Sequence, residues 1–255
     1  MSPNLPLETL TSNQRMEIIV RNPNDIHRAY TKYYSSLADH FRQELGSRKI
    51  RVILEAGCGK GQLTIPLLKK LPRAVRMIVV DSSRRPYSGW LDELPQSLRE
   101  SGFEDRVRIL EADVSDVKGL KPNSVDAIVS NELLCDLIPK ARLTGALDEF
   151  WRVLRAGGLM VHGEWSSYTE GEPRSLLVKH RPSWTPDQIH LMMFRRGFTN
   201  FHVSYFESTI RFMFGAAMAE LRSWGASNKY LRQHEGLLKR DGFVLPFEHV
   251  LSCEK

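Results

Sequence analysis

The stretch VILEAGCGKGQLTIPLL, Val52 to Leu68, constrains this chain more than any other. An apolar run reaches an acid, Glu55, glycines follow at 57, 59 and 61, and a helix-like pattern begins at once. Glycine weakens regular structure, so three in five residues mark a backbone shape or a close contact that side chains would block. Strand, glycines and helix N-terminus together form the layout of a nucleotide-like binding loop. The dinucleotide fingerprint would need glycines at 57, 59 and 62, but position 62 is Gln62. What stands here is E-x-G-x-G-x-G, whose acid is unsuited to a pyrophosphate and suited to a cationic ligand.

The rhythm around this stretch predicts an α/β fold. Strands are expected at IRVILEA, VRMIVVD, RVRILEAD, SVDAIVSN and LMVHGEW, separated by helical GQLTIPLLKKL, YSGWLDELPQSLRESG and ARLTGALDEFWRVLRAGG. Strands apolar on both faces and alternating with helices imply a parallel sheet covered on each side. Right-handed crossovers put the strand ends, and the polar residues Glu55, Asp81, Asp113, Asn131 and Glu164, on one edge. Ahead of this core, Ser12 to Leu45 reads as helical, with a cap at Asn24 or Asp25 and apolar positions at helical spacing. After Trp165, SSYTEGEPRS reads as a loop and Thr185 caps a helix with Pro186 at its first position. TNFHVSYFEST reads as a strand, Phe214 to Asp241 as a helical insert, and FEHVLSCEK as the last strand.

Composition removes several function classes. Three cysteines, Cys58, Cys135 and Cys253, lie far apart without a CxxC pair, and no HExxH occurs, which argues against a disulfide framework and a zinc site. No apolar run approaches the roughly 20 residues of a membrane helix. The N-terminus lacks a signal-peptide layout, so a cytoplasmic protein is expected. The net charge of +6 is spread as +2 over residues 1–50, +1 over 51–165 and +3 over 166–255. That spread does not favour an RNA-binding face, although a tRNA or rRNA substrate stays an alternative.

These motifs together resemble the class I, seven-stranded, S-adenosylmethionine-dependent methyltransferases, clearly over about Ile50 to Trp165. The resemblance implies a Rossmann-like, mostly parallel seven-stranded sheet with helices on both faces. It also implies an N-terminal helical lid over residues 1–48, a methyltransferase domain over 49–255, and a helical insert near 212–242 before the last strand. LEAGCGKG resembles the first family motif, which would place Glu55, Ala56, Gly57, Cys58, Gly59, Gly61 and Gln62 against the cofactor. VVDSS resembles the second, with Asp81 on the ribose hydroxyls beside Ser82; the interval of 24 from Gly57 is near the roughly 20 of a ribose-binding acid. LEADVSD resembles the third, with Asp113 and Val114 at the adenine. IVSNELL resembles the fourth, with Asn131, Glu132 and Leu133 at the methionine part. The leading helix, with Tyr30, Tyr33 and Tyr34, would cover the cofactor.

The expected activity is direct displacement of a methyl group from S-adenosylmethionine to a small molecule or a protein side chain, with no metal required. No NPPY or DPPY follows the fourth strand, which argues against amino-methylation of nucleic-acid bases and of glutamine. A base would help an amine or hydroxyl acceptor, and Glu132, His162 and Glu164 are the candidates, with Asp136 beside them. A non-catalytic S-adenosylmethionine-binding module is a further alternative, and the oligomeric state is open. Met213, Met218 and Trp224 of the insert would suit an apolar or sizeable acceptor.

Overall fold

The structure is a computed structural model that describes residues 16–82, 89–165 and 184–255, with the side chain of Pro186 left aside. The expected loop at SSYTEGEPRS and the start of the YSGWLDELPQSLRESG helix lie outside these residues. The first strands are β1 (Glu17–Val20), β2 (Val52–Ala56), β3 (Arg76–Asp81), β4 (Val107–Glu111) and β5 (Val125–Asn131). They continue as β6 (Leu154–Trp165), β7 (Thr199–Phe206), β8 (Thr209–Phe212), β9 (Phe243–Val244) and β10 (Glu248–Glu254). The helices are α1 (Ile26–Leu45), α2 (Thr64–Lys70), α3 (Trp90–Ser101), α4 (Lys140–Val153), α5 (Pro186–Phe194), α6 (Phe214–Ser223), α7 (Asn228–Gln233) and α8 (Glu235–Asp241). The chain forms two compact units, one of Tyr30–Phe206 with Pro246–Lys255, the other of the described residues up to Ala29 with Glu207–Leu245.

The larger unit holds a seven-stranded sheet in the order β4-β3-β2-β5-β6-β10-β7. Strands β4 to β6 are mutually parallel; β10 runs antiparallel to both β6 and β7. The strand order therefore reverses between β2 and β5, the place where such sheets leave a crevice at their carboxyl ends. Because β10 runs backwards, its first residue, Glu248, enters at that same edge and pairs with Trp165. Central strands are buried on both faces: four of five residues in β2 and five of seven in β5. Leu143, Leu147 and Phe150 of α4 pack with Leu54, Ile128 and Met160 of the sheet into one core. Helix α1 buries Leu37, Phe41 and Leu45 at helical spacing.

The smaller unit holds a three-stranded sheet, β1 parallel to β8 and β8 antiparallel to β9, together with α6, α7 and α8. Here the expected helix over Ser12 to Leu45 is corrected. Glu17–Val20 is a strand whose Ile18, Ile19 and Val20 pair with Ile210, Arg211 and Phe212. Three successive β-branched residues favour that pairing. Pro23 then disfavours helix at Asn22, whose side chain accepts from the Asn24 amide at 3.0 Å and starts the turn into α1. The strand expected over 199–209 also divides, into β7 of the larger unit and β8 of the smaller. At α5 the expected cap is present as a capping box: Thr185 accepts from the Gln188 amide, and Gln188 from the Thr185 amide. No helix among the described residues is long and apolar enough to cross a membrane.

Candidate functional site

The loop after β2 is fixed by its glycines. Gly57, Gly59 and Gly61 take φ of +74°, +51° and +90°, in the left-handed region that costs an L side chain roughly 1–2 kcal/mol. A Cβ on Gly57 would lie 2.8 Å from Leu133 Cδ1, one on Gly59 3.0 Å from Trp90 Cε3, and one on Gly61 2.6 Å from Leu94 Cδ1. The missing Cβ atoms thus make room for the chain's own side chains; conformation and packing set the glycine requirement. The same contact brings Leu133, after β5, onto the start of the loop. Helix α2 begins only at Thr64, so Gln62 belongs to the loop and is half-buried.

Asp81 ends β3 beside this loop. Its Oδ2 accepts from the Gly59 amide at 2.8 Å and its Oδ1 from the Ser82 amide at 2.7 Å. Glu55 is buried in β2, and its Oε2, like Thr64 Oγ1, has no hydrogen-bond partner. Burial pushes its carboxyl up to about 8, the Thr64 side chain pulls it down, and the Asp81 charge adds to the rise. A buried acceptor without a donor at a strand end fits a ligand that brings a cation or hydroxyls. Ala56 and Cys58 are buried, and burial pushes the Cys58 thiol far up, which suits packing and not nucleophilic attack. Asp113 is committed locally: Oδ1 accepts from the Ser115 amide and hydroxyl, and Oδ2 pairs with Arg142 at 3.2 Å. Val114 is buried beside it. Tyr30 stacks on Tyr34 within α1.

A second group of polar residues gathers at the ends of β5 and β6. Ser130 and His162 are register partners, and Ser130 Oγ meets His162 Nδ1 at 2.8 Å. His162 Nε2 lies 3.6 Å from Glu164 Oε2, with both side chains buried. Burial alone would raise the Glu164 carboxyl; the His162 ring, Cys135 and the Trp165 amide overcome it and hold it below the ordinary range. Glu132 has φ +49°, uncommon for a residue with a side chain, and its amide donates to Gly163 O at 2.9 Å. Burial, then the charges of Glu248, Glu164 and Asp136, push its carboxyl well up, and the Trp165 side chain lowers it in part. Asp136 itself is exposed.

The sequence reading missed Glu248 and His249, and gave Tyr33 no part beyond the lid. Tyr33 OH donates to Glu248 Oε1 at 2.5 Å. Burial pushes Glu248 up to about 8, against the Tyr33 hydrogen bond and with the Glu164 charge. His249 is the register partner of Glu164, and burial, then the His162 charge, lowers it to about 4. The one signal available was a glutamate at the head of the last strand, just ahead of the apolar pair Val250 and Leu251. Gly163 separates these side chains: a Cβ there would collide with Asn131 Oδ1 and approach Glu248 Oε2 at 2.9 Å and Phe41 Cζ at 3.0 Å. Gly163→Ala is expected to cost about 1–3 kcal/mol of stability by overpacking, read as a lower Tm.

Residues 53–158 match the family model described as a methyltransferase domain. Solved structures share the fold over nearly the whole chain. A geranyl diphosphate methyltransferase in complex with SAM is 18% identical, with 91% of this chain and 87% of that one covered, at a TM-score of 0.60. A putative sarcosine dimethylglycine methyltransferase from Galdieria sulphuraria is 15% identical over 92% and 91%, TM-score 0.60. The [4+2]-cyclase SpnF is 15% identical over 94% and 99%, TM-score 0.60. The shared fold is the Rossmann-like one, and it hosts a cyclase as well as methyltransferases, so the reaction must be argued from the site.

Proposed function

We propose that this methyltransferase-domain chain moves a methyl group from S-adenosylmethionine to a nucleophile on a small molecule. The observation that carries the reading is the crevice where strand order reverses. There the Gly57–Gly61 loop, Asp81 and Leu133 converge, and the polar group of Glu132, His162 and Glu164 stands on the next two strand ends. When bound, S-adenosylmethionine supplies a methyl group made electrophilic by its sulfonium. Glu55, Ala56, Gly57, Cys58, Gly59, Gly61 and Gln62 form its loop. Asp81 and Ser82 take the ribose, Asp113 and Val114 border the adenine, and Asn131, Glu132 and Leu133 border the methionine part, with Tyr30 covering the site.

The chain's own chemistry is orientation and proton removal. Glu132, its carboxyl pushed up chiefly by burial, is once ionised a stronger base than an ordinary carboxylate. His162 orients Glu164 from 3.6 Å. A small acceptor agrees with solved methyltransferases of this fold whose titles name geranyl diphosphate or sarcosine and dimethylglycine. The test is methyl-labelled S-adenosylmethionine with a fractionated cell extract. Label is expected in the small-molecule filtrate, falling at least tenfold with Glu132→Gln; label in protein or RNA, or none, overturns the reading.

A further inference from the structure

Two buried oxygens meet beside Gly163 with no donor between them. Glu248 Oε2 and Asn131 Oδ1 are both buried, and neither has a hydrogen-bond partner. A Cβ on Gly163 would collide with Asn131 Oδ1 and lie 2.9 Å from Glu248 Oε2, so both oxygens crowd one point. Phe41 Cζ of α1, 3.0 Å from the same position, closes that point from above. Glu248 is fully buried, and its other oxygen, Oε1, accepts from Tyr33 OH at 2.5 Å. Two acceptors side by side and cut off from water repel each other. A single proton on one of them turns the pair into a donor and an acceptor.

We propose that Glu248 is a neutral carboxylic acid that donates from Oε2 to Asn131 Oδ1 and so fixes the orientation of the Asn131 amide. Glu248 is thereby a positioning residue that acts through Asn131, and Tyr33 holds Glu248 in turn. The protonation state stands on the paired oxygens. The part given to Asn131, at the methionine part of the cofactor, rests on the methyl-transfer reading.

The competing arrangement turns the amide round, so that Nδ2 donates to an ionised Glu248. The surroundings oppose that charge. The titratable groups that face Glu248 are Tyr33 from α1, Glu132 after β5 and, through the sheet, Glu164 of β6. Glu164 lies on the opposite face with His162 and its register partner His249, and is held ionised there. Burial, then the Glu164 charge, pushes the Glu248 carboxyl up to about 8, and the Tyr33 and Asn131 side chains offset this only in part. With Glu248 neutral, Asn131 keeps Oδ1 turned to it and has Nδ2 as the end that donates elsewhere. Loss of the proton reverses the amide and sets an acceptor where a donor stood, so cofactor affinity falls as Glu248 ionises.

The test combines infrared spectroscopy with calorimetry across pH. At pH 6.5 the difference between the parent and Glu248→Gln is expected to contain the carbonyl band of a protonated carboxylic acid, which disappears as pH rises through about 8. Tyr33→Phe should move that disappearance to higher pH, because the lost hydrogen bond favours the ionised form. The same shift is readable in pH-difference spectra of Tyr33→Phe and the parent, without a folded Glu248→Gln. For S-adenosylhomocysteine, Glu248→Ala should bind about tenfold more weakly, since it orphans Asn131 Oδ1. Glu248→Gln should restore parent affinity at pH 6.5, because its amide donates to Asn131 and accepts from Tyr33. From pH 6.5 to 9 the parent should lose about fivefold in affinity relative to Glu248→Gln. Glu55 is common to both proteins and cancels in that ratio. No acid band at pH 6.5, or a band midpoint that Tyr33→Phe leaves in place or lowers, overturns the proposed protonation. An affinity ratio flat with pH, or no rescue by Glu248→Gln, overturns the positioning of Asn131. Failure of S-adenosylhomocysteine to bind the parent overturns the methyl-transfer reading separately, and the infrared band still reads Glu248.

Discussion

Asp81→Ala is expected to weaken S-adenosylmethionine binding by about 100-fold, or ~2.7 kcal/mol. The carboxylate accepts the Gly59 amide at 2.8 Å and the Ser82 amide at 2.7 Å, so it braces the glycine loop and the turn after β3 together. Hydrogen bonds to a charged group are worth roughly 1.5–3 kcal/mol, and their loss orphans two amides. Gly59, at φ +51°, then lacks the acceptor that holds its amide in place. The proposed ribose contact goes with the same side chain. Asp81→Asn should fall between, since an amide can accept one of the two bonds and must turn a donor toward the other. Calorimetry with S-adenosylmethionine and S-adenosylhomocysteine reads both variants. Affinity within threefold of the parent would remove Asp81 from the binding machinery and leave it a loop brace, whose loss Tm alone would register.

The loop half of the candidate site was legible because it is local. Glu55, the three glycines and Gln62 stand within eight residues, and strand-to-loop transitions mark Asp81, Asp113 and Asn131. The cap at Thr185 was legible for the same reason, since its partner Gln188 is three residues away. The role of the glycines was only half legible: their positive φ follows from type and spacing, but Leu133, Trp90 and Leu94 come from distant elements. Glu248 was hidden because its meaning depends on Tyr33, 215 residues earlier, and on a strand entering the sheet backwards. Strand β1 was read as helix because the pairing with β8 that decides it lies nearly two hundred residues downstream. Pattern reports what a residue is; partners across the sheet decide what a buried charge costs.

That cost gives the second large effect, in stability against pH. Glu55 and Glu248 each titrate at about 8 in the fold, against an ordinary 4.5. Below about 4.5 both folded and unfolded chains hold these protons and neither group matters. Between about 4.5 and 8 the unfolded chain has released them while the fold retains them, so raising pH favours unfolding; above about 8 the loss is complete. Each group is expected to remove on the order of a few kcal/mol across that window. His249, lowered to about 4, works the other way: its stabilising part is present above about 6.5 and fades as pH falls toward 4, which flattens the acid side. Tm of the unliganded protein is therefore expected to fall from pH 6 to 8.5. Glu55→Gln should raise Tm at pH 8 and change it little at pH 5, because the neutral amide needs no proton. A parent Tm that rises through this range, or a Glu55→Gln curve parallel to it, would show that these acids ionise without penalty. Cation binding reverses the loss, because an ionised Glu55 is what a cationic ligand meets. The stabilisation that S-adenosylmethionine gives the parent should accordingly grow from pH 6 to 8, and Glu55→Gln should lose that growth. The acid that weakens the empty fold is thus the one expected to gain most from the ligand's positive charge.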